Sequence, residues 1–259
     1  MSAELLASRR DATLILTLSN PGARNALHPD MYAAGVEALS TAERDPEIRA
    51  VVLTGAGDTF CAGGNLNRLL ENRSKERTVA ADSVGKLHAW IEALRDCPKP
   101  VIAAVEGPAA GAGFSLALAC DLIVAAQSAQ FVAAYVKVGL SPDGGISWAL
   151  SQALPRQLAT EILIEGKPVS ATRLHQTGVV NRVVTDGQAL NAALDWSDEL
   201  ARLSPNAMDS IKSLLREAPN NHLQAQLAIE QQSFVDCLHH RDGLEGISAF
   251  LEKRKPHYQ

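Results

Sequence analysis

The chain has 259 residues, 46% of them apolar and only 4% aromatic, with a formal net charge of −5. Those proportions support one sizeable core built from Ala, Leu, Val and Ile rather than from rings. An acidic balance with no basic run before Lys253–Arg254–Lys255 argues against nucleic acid as the main partner. The lack of any apolar run near ~20 residues argues against a membrane span.

The four cysteines (Cys61, Cys97, Cys120, Cys237) are scattered, without a CxxC pair or a His at ligand spacing. Reduced thiols in a cytoplasmic protein are expected, with no metal constellation, Walker loop or dinucleotide fingerprint. The opening MSAELLASRRD has no apolar segment of signal-peptide length.

In chain order, Leu5–Arg9 and Ala12–Ser19 read as a β-hairpin stopped by Asn20–Pro21–Gly22. Pro29 opens a helix to about Arg44, with Met31, Val36 and Leu39 as its core positions. Ile48–Thr54 is a buried strand, followed by the small-residue turn Phe60–Leu66 (FCAGGNL). Glu71–Ala80 has no apolar face and reads as a mobile loop or frayed helix. Ser83–Asp96 is helical, and Val101–Val105 is a short buried strand.

The central stretch Val105–Asp121 (VEGPAAGAGFSLALACD) then leads through Gly and Ala into a helix over Phe114–Cys120. Small residues there let a ligand touch the main chain, and free N–H groups at a helix start suit a phosphate or an oxyanion. Tight packing alone explains such a junction equally well. Leu122–Ala126 and Gln130–Ala134 read as strands, Gly139–Gly145 (GLSPDGG) as a third special turn, and Ile146–Ala153 and Arg156–Ile164 as helices. Ser170–Gly178 is a capped short helix, and Val179–Val184 is the last strand. From Leu190 the pattern is helical: Leu190–Leu203, Asn206–Glu217, Leu223–Leu238 and Leu244–Lys253. The expected organisation is an α/β core over residues 1–195 with a helical region over 196–259.

The three turns, in this order and spacing, together with Arg24–Leu27 (RNAL) and Phe250–Pro256 (FLEKRKP), resemble the crotonase superfamily, the enoyl-CoA hydratase/isomerase fold. The resemblance spans nearly the whole chain. It implies an α/β spiral of ββα units with a helical C-terminal region, assembled as a homotrimer or dimer of trimers. It also implies an acyl-CoA thioester substrate, with coenzyme A part of the substrate and no separate cofactor.

Motif alignment places the family's two oxyanion-binding N–H groups on Gly64 and Ala112. The family often has Gly at the second position, so Ala requires a φ/ψ that suits it. The CoA portion falls on Arg24 and on the segment around Ala26, Ala62, Asn65 and Leu66, with Lys253 of a neighbouring subunit in reach of the phosphates. The plain alternative for Arg24 and Lys253 is a solvated surface charge.

The family's hydratases carry two glutamates where this chain has Ser115 and Tyr135, which puts ordinary hydration in doubt. Asp143 matches the acid/base carboxylate of the family's Δ3,Δ2-enoyl-CoA isomerases; an Asp that only caps its turn is the alternative. His88, Tyr135 and Asp143 also match, in part, a dehalogenase of the family acting on an aromatic CoA thioester, so hydrolytic or ring chemistry stays open. The chain as a non-catalytic CoA-ester-binding protein is the reading from outside enzymology.

Overall fold

The computed structural model describes residues 3–258. Strands β1 (Glu4–Arg10) and β2 (Thr13–Ser19) form the expected antiparallel hairpin, with Arg10 opposite Thr13. Its turn residue Asp11 has φ 51°, a conformation Asp tolerates through local hydrogen bonding. Helix α1 (Pro29–Arg44) starts on a proline and is capped by the His28 side chain accepting from Asp30 N. It buries Met31, Tyr32, Gly35 and Leu39, the three- and four-residue spacing of one helix face. Strand β3 (Ala50–Gly55) follows, buried along nearly its whole length.

The stretch 71–80, expected as a mobile loop or a frayed helix, is helical apart from a short break: the end of α2 (Leu66–Arg73) and the start of α3 (Arg77–Asp96). The Asn65 side chain caps α2 by accepting from Arg68 N at 3.2 Å. A cap and good helix formers suffice here, and only Asn72 between Glu71 and Ala80 is buried, which is why no apolar face is visible in the sequence. Strand β4 (Val101–Val105) does not feed its helix directly. A short strand β5 (Pro108–Ala110) intervenes before α4 (Ala112–Ala119).

Strand β6 (Leu122–Ala126) is as expected, but β7 (Gln130–Val132) stops early. A 3-10 turn over Ala134–Val138 takes over and carries Tyr135. Helices α5 (Ile146–Ala153) and α6 (Arg156–Glu165) lead to β8 (Pro168–Ser170) and to α7 (Ala171–Gln176), which Ser170 caps. The final strand β9 (Arg182–Val184) is shorter than the expected Val179–Val184. The N–H groups of Val179 and Val180 instead close the end of α7 on Leu174 O. Helices α8 (Ala189–Leu200), α9 (Pro205–Glu217), α10 (Leu223–His239) and α11 (Arg241–Leu251) complete the chain.

The main sheet runs β1-β2-β3-β4-β6-β9, parallel from β2 onward, and β5-β7-β8 form a second, smaller sheet. Parallel strands covered on both faces need continuous apolar runs, which β3 and β4 supply. Val52, Ile102, Ala104 and Val124 pack on Ala189, Ala193 and Leu194 of α8. The expected division at residue 195 therefore falls inside a helix that belongs to the sheet's packing. On the other face α1, α3 and α4 share one core with Trp90, Phe114 and Leu116 fully buried. An isolated eight-residue helix is marginal in water, so burial holds α4, at about 1.5–3 kcal/mol for each large side chain. Among the described residues no helix is long and apolar enough to cross a membrane.

Candidate active site

Three chain segments meet at the start of α4. Ala62 N donates to Arg24 O at 3.0 Å, and Leu27 N to Gly63 O at 2.8 Å. Cys61 N donates to Pro108 O at 3.1 Å, and Ala110 N to Cys61 O at 2.8 Å. These bonds form bridges Leu27–Gly64 and Cys61–Ala109, so the segments lie side by side like strands. Asn25, which sequence reasoning passed over, locks the arrangement. Its buried side chain donates to Ala56 O at 2.9 Å and Thr59 O at 2.7 Å, and accepts from Asn20 N.

Gly63 has φ +88°, and a Cβ there would lie 2.6 Å from Ala110 O and 3.4 Å from Ala112 N. Only glycine allows the two turns to approach this closely. Gly111 (φ +51°) then turns the chain so that Ala112 begins α4 with ordinary helical geometry, which removes the conformational objection to Ala there. Among the described residues, the N–H groups of Gly64 and Ala112 donate to no protein acceptor. Two neighbouring donors, one at a helix N-terminus, are suited to negative charge.

Above them stands a polar cluster. Tyr135 Oη donates to Asp143 Oδ1 at 2.8 Å. Ser115 Oγ lies 3.2 Å from Tyr135 Oη and donates to Asp143 O at 3.0 Å. Gly144 N donates to His88 Nε2 at 3.3 Å, so the imidazole holds the Asp143 turn from the α3 side. Gly144 has φ +61°, and a Cβ there would approach Ser115 Cβ to 2.7 Å. Burial, and next the Asp143 charge, drive the Tyr135 pKa far above its usual value, so the phenol stays a donor throughout the physiological range. Ser115 and Tyr135 thus place two hydroxyl groups at Asp143, Tyr135 on its carboxylate and Ser115 on its main-chain carbonyl.

Tyr32 was also missed. It lines a small cavity at Gly64 together with Leu27, Arg68 and Leu69. Burial raises its phenol from 10.0 to about 12, with Arg68 opposing and Asp143 adding to the rise. An aromatic residue on the buried face of α1 reads as ordinary core, and nothing in its spacing marks it as facing a site. Cys61 is likewise raised to about 12 by burial, and its Sγ accepts from Gly63 N, as a filler beside the turn would.

Of the other expected residues, Arg24, Ala26, Ala62, Asn65 and Leu66 line the joined segments, with Asn65 serving as the α2 cap. Lys253 follows α11, which packs on α10, and no hydrogen bond among the described residues joins it to the turns. The larger cavity under α9, about 370 Å³ beside Asp121 and Lys212, is lined by none of these residues. Glu106, adjoining the central turn, accepts from Gly187 N and Ala189 N and so ties the start of α8.

A parallel α/β spiral with paired backbone donors beside one carboxylate defines a crotonase-type fold. The enoyl-CoA hydratase/isomerase family model matches residues 9–259. The chain is 37% identical over 259 residues to 2,3-dehydroadipyl-CoA hydratase of Escherichia coli K12, covering 99% of this chain and 98% of that protein. It is 36% identical to 1,2-epoxyphenylacetyl-CoA isomerase of the same organism, covering 98% and 97%. A crystal structure of an enoyl-CoA hydratase from Polaromonas sp. JS666 superposes with a TM-score of 0.98 at 57% identity, covering 99% and 100%. The chain belongs to the enoyl-CoA hydratase/isomerase family of acyl-CoA enzymes.

Proposed function

We propose that this enzyme moves protons on an acyl-CoA thioester, as an enoyl-CoA isomerase does, with Asp143 as its single acid/base. The observation that carries this reading is the Tyr135–Asp143 hydrogen bond, set where a hydratase has its second glutamate and beside the Gly64 and Ala112 donors. In a Δ3-enoyl ester the Asp143 carboxylate takes a proton from the carbon alpha to the thioester. The electron pair moves onto the thioester oxygen, where the two N–H groups hold it as a dienolate; one such donor is worth about 3–4 kcal/mol of barrier. Asp143 then returns the proton at the gamma carbon, leaving a Δ2 double bond. Tyr135 orients the carboxylate, Ser115 holds the Asp143 main-chain carbonyl, and His88 fixes the turn through Gly144. Because His88 Nε2 is engaged by a backbone N–H, a water-activating role for it, as in hydrolytic or dehalogenase-like chemistry, is disfavoured.

Hydration is the second reading, favoured by the similarity to a dehydroadipyl-CoA hydratase. The similarity to an epoxyphenylacetyl-CoA isomerase favours proton transfer without net water addition. CoA binding along Arg24, Ala26, Ala62, Asn65 and Leu66 belongs to the same proposal, as does a trimeric assembly in which Lys253 of a neighbouring subunit meets the phosphates. The apolar residues left uncovered on α9–α11 support that assembly. The deciding experiment is incubation in D2O with a 3-enoyl-CoA and a 2-enoyl-CoA, read by mass spectrometry. Double-bond migration with deuterium uptake is expected. Net addition of water to the 2-enoyl ester would establish the second reading, and turnover of neither ester would favour ring chemistry on an aromatic CoA thioester or a binding role.

A further inference from the structure

The cavity at Gly64 continues outward. Beyond it lies a second cavity of about 340 Å³ between α2 and α3, and both are lined by Arg68, Asn72 and Ser83. Its walls change character along this path. Leu27, Tyr32 and Leu69 line the inner end, whereas Arg68, Lys75 and Lys86 line the outer end against a single acid, Asp82. The Arg68 guanidinium donates to Ser83 Oγ at 3.2 Å, and Lys75 Nζ donates to the buried Asn72 Oδ1 at 3.3 Å. Among the described residues, none of these three cations lies within ion-pair distance of a carboxylate. Three like charges on one concavity repel one another and raise the local concentration of an anion. Tyr32 links the path to the thioester site, since it lines the same cavity as Gly64 and Arg68.

We infer that the acyl chain of the substrate ends in a carboxylate, which Arg68, Lys75 and Lys86 receive between α2 and α3. This rests on the proposed thioester site at Gly64 and Ala112. The carbonyl is polarised at one end of the path, and the apolar stretch past Tyr32 and Leu69 takes the methylene chain. The distal anion finds cations whose hydrogen bonds are strengthened by charge. An uncharged chain end of the same length would leave those cations with neutral hydrogen-bond partners and the single acid Asp82. The same cations suit any anion, and the phosphates of the CoA portion are the other source; the measurement must tell the two apart.

The test is calorimetric binding of free CoA, hexanoyl-CoA, octanoyl-CoA and their ω-carboxylated counterparts, adipoyl-CoA and suberoyl-CoA. The native chain is compared with the Lys75→Met/Lys86→Met double variant, which keeps the alkyl stems and removes the charges. The native chain is expected to bind at least one ω-carboxylated ester about tenfold more tightly than its uncharged partner. In the variant that ratio falls to about one, while hexanoyl-CoA and free CoA bind as before. Equal binding of charged and uncharged esters by the native chain overturns the inference alone. Parallel losses for free CoA and adipoyl-CoA in the variant also overturn it, assigning the cations to the nucleotide. Failure to bind any CoA ester overturns the thioester site, and this inference with it.

Discussion

Helices α4 and α10 stand in opposite relations to solvent. α4 has 8 residues and buries seven of them, whereas α10 has 17 residues and buries none. A helix apolar all round must sit inside a core, and α4 is placed there with its N-terminus at the candidate site. α10 and its neighbours leave Leu215, Phe234 and Phe250 between 68% and 84% exposed. Large apolar side chains exposed to this degree are what an interaction face would cover. The core thus completes its own packing around the candidate site, while the C-terminal helices of the single chain leave large apolar side chains in solvent.

The sharpest way to break this contrast is at the core's carboxylate. Asp143→Asn keeps an oxygen to accept from Tyr135, so acyl-CoA binding should persist. The turnover number should fall by about 10²–10⁴, the usual worth of a general acid/base. Steady-state kinetics beside calorimetry check this, and an unchanged rate removes Asp143 from the mechanism.

Next in size is Gly113→Ala. Its Cβ would lie 2.6 Å from Cys61 O, backbone that cannot move without shifting the Ala62–Gly64 turn. We expect about 1–3 kcal/mol of lost stability from overpacking. The rate should also fall on the order of 10²-fold as the two donors part. Thermal melting and kinetics read the two effects separately.

Phe250→Glu probes the other region. Within one chain this substitution should change stability by under about 0.5 kcal/mol. If a second copy covers the face, the mass in solution should drop toward that of one chain. Sedimentation measures it, and an unaltered mass places Phe250 outside any interface.

The smallest expected effect is a pH dependence. The Tyr32 phenol, raised by burial from 10.0 to about 12, contributes stability that is present below pH 10 and lost as the pH climbs toward 12. In that window the unfolded chain releases a proton that the folded chain keeps. Tyr32→Phe should reduce the fall in stability by up to about 1.4 kcal/mol per pH unit. Denaturant titrations at pH 9, 10, 11 and 12 would show it, and parallel curves would refute it.

The hairpin, the buried strands and the glycine turns are legible in the sequence because backbone demands restrict residue type there. The identities at Ser115, Tyr135 and Asp143 were readable too, but not that their side chains share one network, which depends on the 3-10 turn bringing Tyr135 inward. α2 was illegible because almost nothing on it is buried, so periodicity carried no signal. Tyr32 and Asn25 were illegible for the converse reason, since burial makes a functional or locking residue look like core. That α8 spans residue 195 was not legible, because its packing partners on the sheet are distant in sequence.

Gly64 and Ala112 present main-chain donors, and that shapes how this protein can diverge. A point mutation at either position exchanges a side chain yet keeps the amide N–H unless it installs proline, so the donors are lost chiefly through the glycines that set their spacing, Gly63 and Gly113. Positions 115, 135 and 143 have no such protection, because their contribution lies wholly in the side chain. On the proposed mechanism, charge-holding capacity is inherited with the fold itself, whereas the identity of the reaction drifts through a handful of codons around it.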